Sequence, residues 1–300
     1  MEQWTIQKLL NWVTDYFTEK GIEPARFSAE LLLGDVLGIR RIELYTQFDT
    51  VVSEEVRDKL RELVKRAGQN EPVQYLIGKT EFYSLELEIT PDCLIPRPET
   101  ELLVERAIEF LRQRSGEQFV CDLCTGSGCI ATAIAKNFVT GKIIATDISD
   151  SALKIAAKNI EKHQLGGRVK LLCGDLFDPV VPQLDSGKFD LIVCNPPYVS
   201  DSEFETLDKN VRDYEPKEAL LAGVDGLDVY KRICEKVDDF LKPDGALIME
   251  TGYRQGQAVR ELLEQVNCFT EITVEKDLSN NDRIVTAKKK SGPPKLDISP

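Results

Sequence analysis

A single histidine, His163, is all that 300 residues supply of the side chain most often used as a general base or metal ligand. Cys121, Cys124 and Cys129 include a C-x-x-C spacing, but neither a second such pair nor a pair of histidines follows it, so no metal site is expected. Long apolar runs are missing too: none approaches the roughly 20 residues that span a bilayer, and no membrane partner is expected. The opening Met1-Glu2-Gln3-Trp4 lacks the basic segment, apolar stretch and cleavage site of an export signal, so the expected location is cytoplasmic. Basic charge is scarce: 38 Lys and Arg stand against 51 Asp and Glu, a net charge of -13. That balance argues against a surface built to neutralise phosphates, and no direct nucleic-acid partner is expected.

What is present belongs to an ordinary globular protein, with 42% hydrophobic and 30% charged residues. The eight cysteines are expected to stay as free thiols in a reducing compartment. Five of them, Cys121, Cys129, Cys173, Cys194 and Cys268, lie in or beside apolar segments, as small core residues do.

The first part of the chain reads as helical. Ile6, Leu9, Leu10, Val13, Tyr16 and Phe17 recur at helical spacing before Gly21 and Pro24, and a second helix is predicted over Ala25 to Leu37, stopping at Gly38. A third opens with Ser53 as N-cap and Glu54 and Glu55 in its first turn, with Val56, Leu60, Leu63, Val64 and Ala67 on one face. From about Glu81 the pattern alternates through Phe82, Leu85, Leu87 and Ile89, which predicts a strand or hairpin. An amphipathic helix carrying Leu102, Leu103, Ala107, Ile108 and Leu111 follows.

Beyond Gly116, short apolar runs alternate with helical stretches, the sequence form of a parallel α/β sheet. The predicted strands are Phe119 to Leu123, Lys142 to Thr146, Val169 to Cys173, Phe189 to Cys194 and Ala246 to Glu250. Two last strands, Thr270 to Lys276 and Arg283 to Lys288, have no helix between them and are expected to pair antiparallel. The expected organisation is a helical domain over 1–80, a β-hairpin linker over 81–95, an α/β domain over 96–290 and a flexible tail over 291–300.

Asp122-Leu123-Cys124-Thr125-Gly126-Ser127-Gly128 stands between a predicted strand and a predicted helix, at the edge where open α/β sheets bind ligands. Gly126 to Ala131 also satisfies the G-x-G-x-x-A form of a dinucleotide fingerprint. The next strand ends in Asp147, about 20 residues beyond the glycines, where a carboxylate accepts from both hydroxyls of a ribose. NAD and S-adenosylmethionine both carry such a ribose, so the loop alone leaves both open. Asp175 and Leu176 follow the third strand, where an adenine needs a hydrogen-bonding partner and an apolar wall.

Asn195-Pro196-Pro197-Tyr198 closes the apolar strand Leu191 to Cys194 on the same sheet edge. A primary amide or exocyclic amine is a planar NH2 with two donors, and two aimed acceptors hold it. The Asn195 side-chain oxygen and the Pro196 carbonyl suit that task, the two prolines fix the backbone direction, and Tyr198 can cover the flat face. An amide nitrogen is a poor nucleophile, so its methylation by a sulfonium depends on orientation and charge stabilisation. An NAD-dependent oxidoreductase leaves this tetrapeptide without a task.

Taken with Glu71-Pro72-Val73-Gln74-Tyr75-Leu76, Ile95-Pro96-Arg97-Pro98-Glu99-Thr100, Tyr214-Glu215-Pro216 and Asn281-Asp282-Arg283, these motifs make the chain resemble the peptide chain release factor glutamine methyltransferases, the PrmC/HemK family, over nearly its whole length. The resemblance implies a class I methyltransferase fold, a Rossmann-like, mostly parallel sheet with an antiparallel final strand, behind a small helical bundle. It implies S-adenosyl-L-methionine as cofactor, contacted by Cys124, Thr125, Gly126, Ser127, Gly128, Asp147, Leu176 and Asn195. It also implies a class 1 release factor as protein substrate, with the glutamine of a Gly-Gly-Gln motif held by Asn195, Pro196, Pro197 and Tyr198; a monomer is expected. Cys124 departs from the family, which usually has glycine there, and Leu176 stands where the family can carry an aromatic residue. Alternative readings are a ribosomal-protein glutamine methyltransferase, an adenine-N6 DNA methyltransferase, and a non-catalytic release-factor docking module.

Overall fold

The computed structural model describes residues 3–182 and 187–291. The chain up to Lys79, together with Asp208–Tyr214, forms one unit, and the rest forms another. The expected tail lies outside the described residues from 292 onward.

The first unit is built from amphipathic helices. Thr5 caps α1 (Ile6–Lys20) by accepting from the Lys8 N–H, and Gly21 ends it in a left-handed conformation. The second helix, α2 (Ala25–Leu37), stops at Gly38, also left-handed. Ser53 caps α4 (Glu54–Ala67), accepting from the Val56 N–H, a bond that contributes about 1 kcal/mol. Two short helices that the sequence reading did not contain, α3 (Arg41–Thr46) and α5 (Val73–Ile77), close the bundle. Leu10, Val13, Phe17, Leu32, Leu33 and Leu60 are buried together at its centre. The short α10 (Lys209–Arg212) belongs to this unit, and the Tyr214 hydroxyl donates to the Gln69 carbonyl at 3.0 Å.

The second unit begins at Thr80, within a hairpin of β1 (Lys79–Phe82) and β2 (Leu85–Glu88). Helix α6 (Thr100–Arg112) precedes an alternation of β3 (Gln118–Leu123), α7 (Cys129–Asn137), β4 (Gly141–Asp147), α8 (Asp150–Lys162), β5 (Val169–Cys173) and β6 (Phe189–Cys194). After the short α9 (Asp201–Phe204) come α11 (Asp228–Phe240), β7 (Leu241–Glu250), α12 (Gly256–Gln265), β8 (Phe269–Lys276) and β9 (Asp282–Lys289). The main sheet has the order β5-β4-β3-β6-β7-β9-β8, and β9 runs against its neighbours β7 and β8 while the other pairings are parallel. This is the mostly parallel sheet with a reversed final strand that the sequence implied.

Both faces of the central sheet are covered. Leu191 and Val193 of β6 join a core with α6 and α7, whereas Ile192 and Cys194 join the opposite core with α11. Burial on both sides explains why β6 reads as an unbroken apolar run rather than an alternating one. Phe82 and Leu87 of the hairpin lie in the α6 and α7 core. Asn159 of α8 clamps the hairpin, accepting from the Glu88 N–H at 2.7 Å and donating to the Glu88 carbonyl at 2.9 Å. The same amide donates to the Ser127 carbonyl, which ties the glycine loop to this packing.

One cysteine expectation is overturned. Cys173 is exposed, because it ends β5, the edge strand of the sheet, where the burial pattern falls from Val169 to the last residue. Cys268 is only partly buried, while Cys121, Cys129 and Cys194 are core residues.

Candidate active site

Strand register places the loops that carry the chemistry side by side. Leu123 pairs with Thr146 on one flank and with Cys194 on the other, and Cys194 in turn pairs with Met249. The next residue on each strand, Cys124, Asp147, Asn195 and Glu250, therefore emerges on one rung at the carboxyl edge. Asp147, Asn195 and Glu250 are polar residues at the ends of apolar strands, and ligands of open α/β sheets gather at this edge.

The glycine loop is held from below and from the side. Asp122 is fully buried; its Oδ2 accepts from the Thr125 hydroxyl at 2.6 Å and from the Ala131 N–H at 3.1 Å, pinning the loop to the first turn of α7. Burial pushes the Asp122 carboxyl up to about 7, against the lowering effect of those two bonds. From the side, Asp147 Oδ2 accepts the Gly126 N–H at 2.7 Å, and its Oδ1 accepts the Ser149 N–H at 2.9 Å. Burial raises the Asp147 carboxyl above its usual range, opposed by backbone N–H groups of Ser149, Gly126 and Ile148. Each oxygen retains lone pairs for a further donor. Gly128 is left-handed at φ +77, and an added Cβ would come within 3.0 Å of the Ala156 Cβ, so α8 can pack this closely only against glycine.

Two residues named from the sequence sit in strained backbone. Cys124 has φ 57 and Leu176 φ 46, a left-handed region that costs a side-chain-bearing residue about 1–2 kcal/mol. The conformation at Cys124 gives the physical reason for expecting glycine there. Leu176 is buried, and its carbonyl accepts the Thr146 hydroxyl at 3.1 Å. Asp175 pairs with Arg232.

The tetrapeptide after β6 is fixed along its length. Asn195 Nδ2 donates to the Thr100 hydroxyl at 3.2 Å. At the far end, Gln255 Nε2 donates to the Tyr198 carbonyl at 2.9 Å, and Val199 bonds in both directions to the 220–222 segment. Gly226 is required beside it: a Cβ there would lie 2.4 Å from the Tyr198 carbonyl. Pro196 is buried, and Asn195, Pro197 and Tyr198 are half-buried. Neither Asn195 Oδ1 nor the Pro196 carbonyl receives a hydrogen bond from any described residue.

Sequence reasoning missed Thr100, Glu250 and Gln255 as parts of this site. Thr100 donates to Glu250 Oε2 at 2.7 Å, and both are 1% exposed. Arg97 and the Ile95 N–H both bond the buried Glu215, which fastens the segment leading to Thr100. His163 plays no part here; its Nε2 lies 3.0 Å from the Glu86 carbonyl at the end of α8.

Comparison with known proteins gives this edge a family. Residues 8–78 match the PrmC N-terminal domain, and residues 115–291 match a methyltransferase domain. The chain is 43% identical to a release factor glutamine methyltransferase of Rhodopirellula baltica over 289 residues, covering 95% of this chain and 97% of that one. The chain belongs to the release factor glutamine methyltransferase family. A second member, from Geobacter sulfurreducens, is 40% identical over 287 residues, covering 95% of this chain and 96% of that one. Among solved structures, the hMettl16 catalytic domain in complex with a 3′UTR hairpin superposes with a TM-score of 0.56 at 18% identity, covering 71% of this chain and 79% of that one, a likeness of fold alone. As a member of this family the chain is a methyltransferase, and an NAD-dependent oxidoreductase is excluded.

The residues at the edge also fit a cofactor of the expected kind. Buried side-chain oxygens without a hydrogen-bond partner are found there: Ser127 Oγ in the glycine loop, Asp122 Oδ1 and Thr132 Oγ1 on the strand and helix that flank it, and Glu250 Oε1 and Thr251 Oγ1 at the end of β7. Such groups are rare in folded proteins and call for a reason. Asp147, whose two oxygens keep lone pairs beside the glycine loop, suits a ligand that carries a ribose diol.

Proposed function

We propose that the chain transfers the methyl group of S-adenosyl-L-methionine to the side-chain amide nitrogen of the glutamine in the Gly-Gly-Gln motif of class 1 peptide chain release factors. The observation that carries this reading is the pair of open oxygens, Asn195 Oδ1 and the Pro196 carbonyl, one strand away from the glycine loop in a member of this family.

The cofactor, when bound, supplies a methyl group activated by a sulfonium. Cys124 to Gly128 would line its path, the remaining lone pairs of Asp147 would accept from the ribose hydroxyls, and Leu176 would offer an apolar wall to the adenine. Asn195 Oδ1 and the Pro196 carbonyl accept the two N–H bonds of the glutamine amide, which directs the nitrogen lone pair toward the methyl carbon. Tyr198 covers the flat face of the amide. Transfer would form the nitrogen–carbon bond as the carbon–sulfur bond breaks, and the positive charge arriving on nitrogen would leave as a proton to water. No dedicated base is needed.

The N-terminal unit recognises the release factor in this reading, supported by its match to a domain of the same family. In this reading the enzyme acts in the cytoplasm as a monomer. Among the described residues no helix is long and apolar enough to cross a membrane. Incubating the full chain with labelled S-adenosylmethionine and, separately, a class 1 release factor, ribosomal proteins and DNA tests the proposal. Label on the Gly-Gly-Gln glutamine is the expected result, and label only on a ribosomal protein or on adenine rejects it.

A further inference from the structure

We propose that Thr100 and Glu250 act as a positioning relay that fixes which way round the Asn195 carboxamide stands, and so which atom it presents to the substrate. The inference rests on the reading of Asn195 as an acceptor for an amide N–H.

The argument is one of hydrogen-bond polarity. An ionised carboxylate can only accept, so Glu250 Oε2 obliges the Thr100 hydroxyl to donate its single proton across the 2.7 Å contact. The Thr100 oxygen is then left with lone pairs alone on the Asn195 side, and only the NH2 edge of the carboxamide can face it, as the 3.2 Å bond from Asn195 Nδ2 requires. The Asn195 oxygen must occupy the other edge, where no described residue donates to it. A carboxamide turned by 180° would offer the substrate NH2 a donor instead of an acceptor. The relay therefore prevents a flip that a free asparagine makes at little cost.

The position of the relay supports a functional reading over a packing one. Thr100 opens α6 and Glu250 closes β7, 150 residues apart, yet both are 1% exposed. Burying a carboxylate is costly unless it is paired and fully bonded. Glu250 Oε1 has no hydrogen-bond partner, and the nearest guanidinium, Arg283 Nη1, is 4.0 Å away. A hydrophobic pair at 100 and 250 would avoid that cost, and what the polar pair provides instead is direction.

A protonated Glu250 could donate to Thr100, freeing the hydroxyl to donate toward Asn195 and permitting the wrong edge. The groups facing Glu250 are Thr100 and the charges of Arg97 and Glu99 from the segment before α6, Arg283 from β9, Tyr198 from the tetrapeptide and Tyr230 from α11. Burial pushes the Glu250 carboxyl up to about 7, against the lowering effects of Thr100, Arg283 and Arg97.

The test uses the full-length protein with a release factor and compares Thr100→Val, Thr100→Ser and Glu250→Gln, each with cofactor affinity measured alongside kcat and KM. Thr100→Val keeps the volume and loses the hydroxyl, and kcat should fall about 10- to 100-fold with cofactor affinity unchanged. Thr100→Ser restores the hydroxyl and should recover most of the rate. The wild-type rate should fall below about pH 7, and Glu250→Gln should be slower and lack that acidic limb. A Thr100→Val enzyme with wild-type kcat, or a Glu250→Gln enzyme that keeps both rate and acidic limb, overturns the relay. Absence of methylation by the wild-type chain rejects the proposed function instead, so the two failures are distinct.

Discussion

Asp147 Oδ2 accepts the backbone N–H of Gly126 at 2.7 Å, which couples the end of β4 to the glycine loop at the end of β3. One carboxylate thus shapes the loop and, in the proposed complex, meets the ribose. Asp147→Ala should weaken S-adenosylmethionine binding by about 10- to 100-fold, the cost of losing charged hydrogen bonds to the ligand and the loop's own anchor. Titration calorimetry checks this, and an unchanged Kd removes Asp147 from the cofactor site.

The left-handed backbone at Cys124 leads to a second expectation. Cys124→Gly relieves strain of about 1–2 kcal/mol in the folded state but adds freedom to the unfolded chain worth about 0.5–1 kcal/mol. Cys124 also packs against the core that holds Cys194, so some contact is lost. The thermal midpoint should therefore stay within a few degrees of wild type, while cofactor affinity rises as the side chain leaves the loop. A weaker affinity in Cys124→Gly contradicts crowding at this position.

Glu250 gives a prediction whose sign depends on pH. Its folded-state carboxyl stands near 7 against an ordinary 4.5, so the fold favours the protonated form. That contribution is complete below about pH 4.5 and is lost as pH rises to about 7, a loss of at most about 3 kcal/mol. Glu250→Gln stays neutral throughout. It should match wild type in stability near pH 4.5 and exceed it by several degrees in Tm at pH 8, read by calorimetric scans at both pH values. Greater stability with slower methylation is the pattern expected of a group kept for function.

Much of this fold is legible in the chain. The strands Val169–Cys173 and Phe189–Cys194 and the helix Ala25–Leu37 have the limits that their apolar patterns and Gly38 dictate. Helices α3 and α5, of six and five residues, are too short for a 3.6-residue period to repeat. Strand β7 begins at Leu241, earlier than its apolar run, because Lys242-Pro243-Asp244-Gly245 reads as a turn and the register shifts between Phe189 and Leu191 opposite it. The tetrapeptide and glycine loop declare themselves through residue type and strand position. Thr100 and Glu250 do not, since a contact spanning 150 residues leaves no local pattern. The one signal for Glu250 is a charge closing a buried strand, as Asp147 closes β4.

Removing residues 1–80 tests the role proposed for the N-terminal unit. Cofactor binding should persist, because the glycine loop, Asp147 and the tetrapeptide all lie in the other unit, whereas release-factor methylation should vanish. The segment Asp208–Tyr214 loses its packing partners in that variant, so the cofactor titration is needed to show that the remainder has folded. Undiminished methylation by the truncated chain contradicts substrate recognition by the bundle.

The central claim is that the Asn195 oxygen holds the glutamine amide during transfer, and Asn195→Ala tests it most directly. Single-turnover methyl transfer to a release factor, with S-adenosylmethionine affinity measured on the same preparation, should slow by about 100-fold or more while the variant still binds the cofactor. A rate within a few-fold of wild type would show that the amide is held elsewhere.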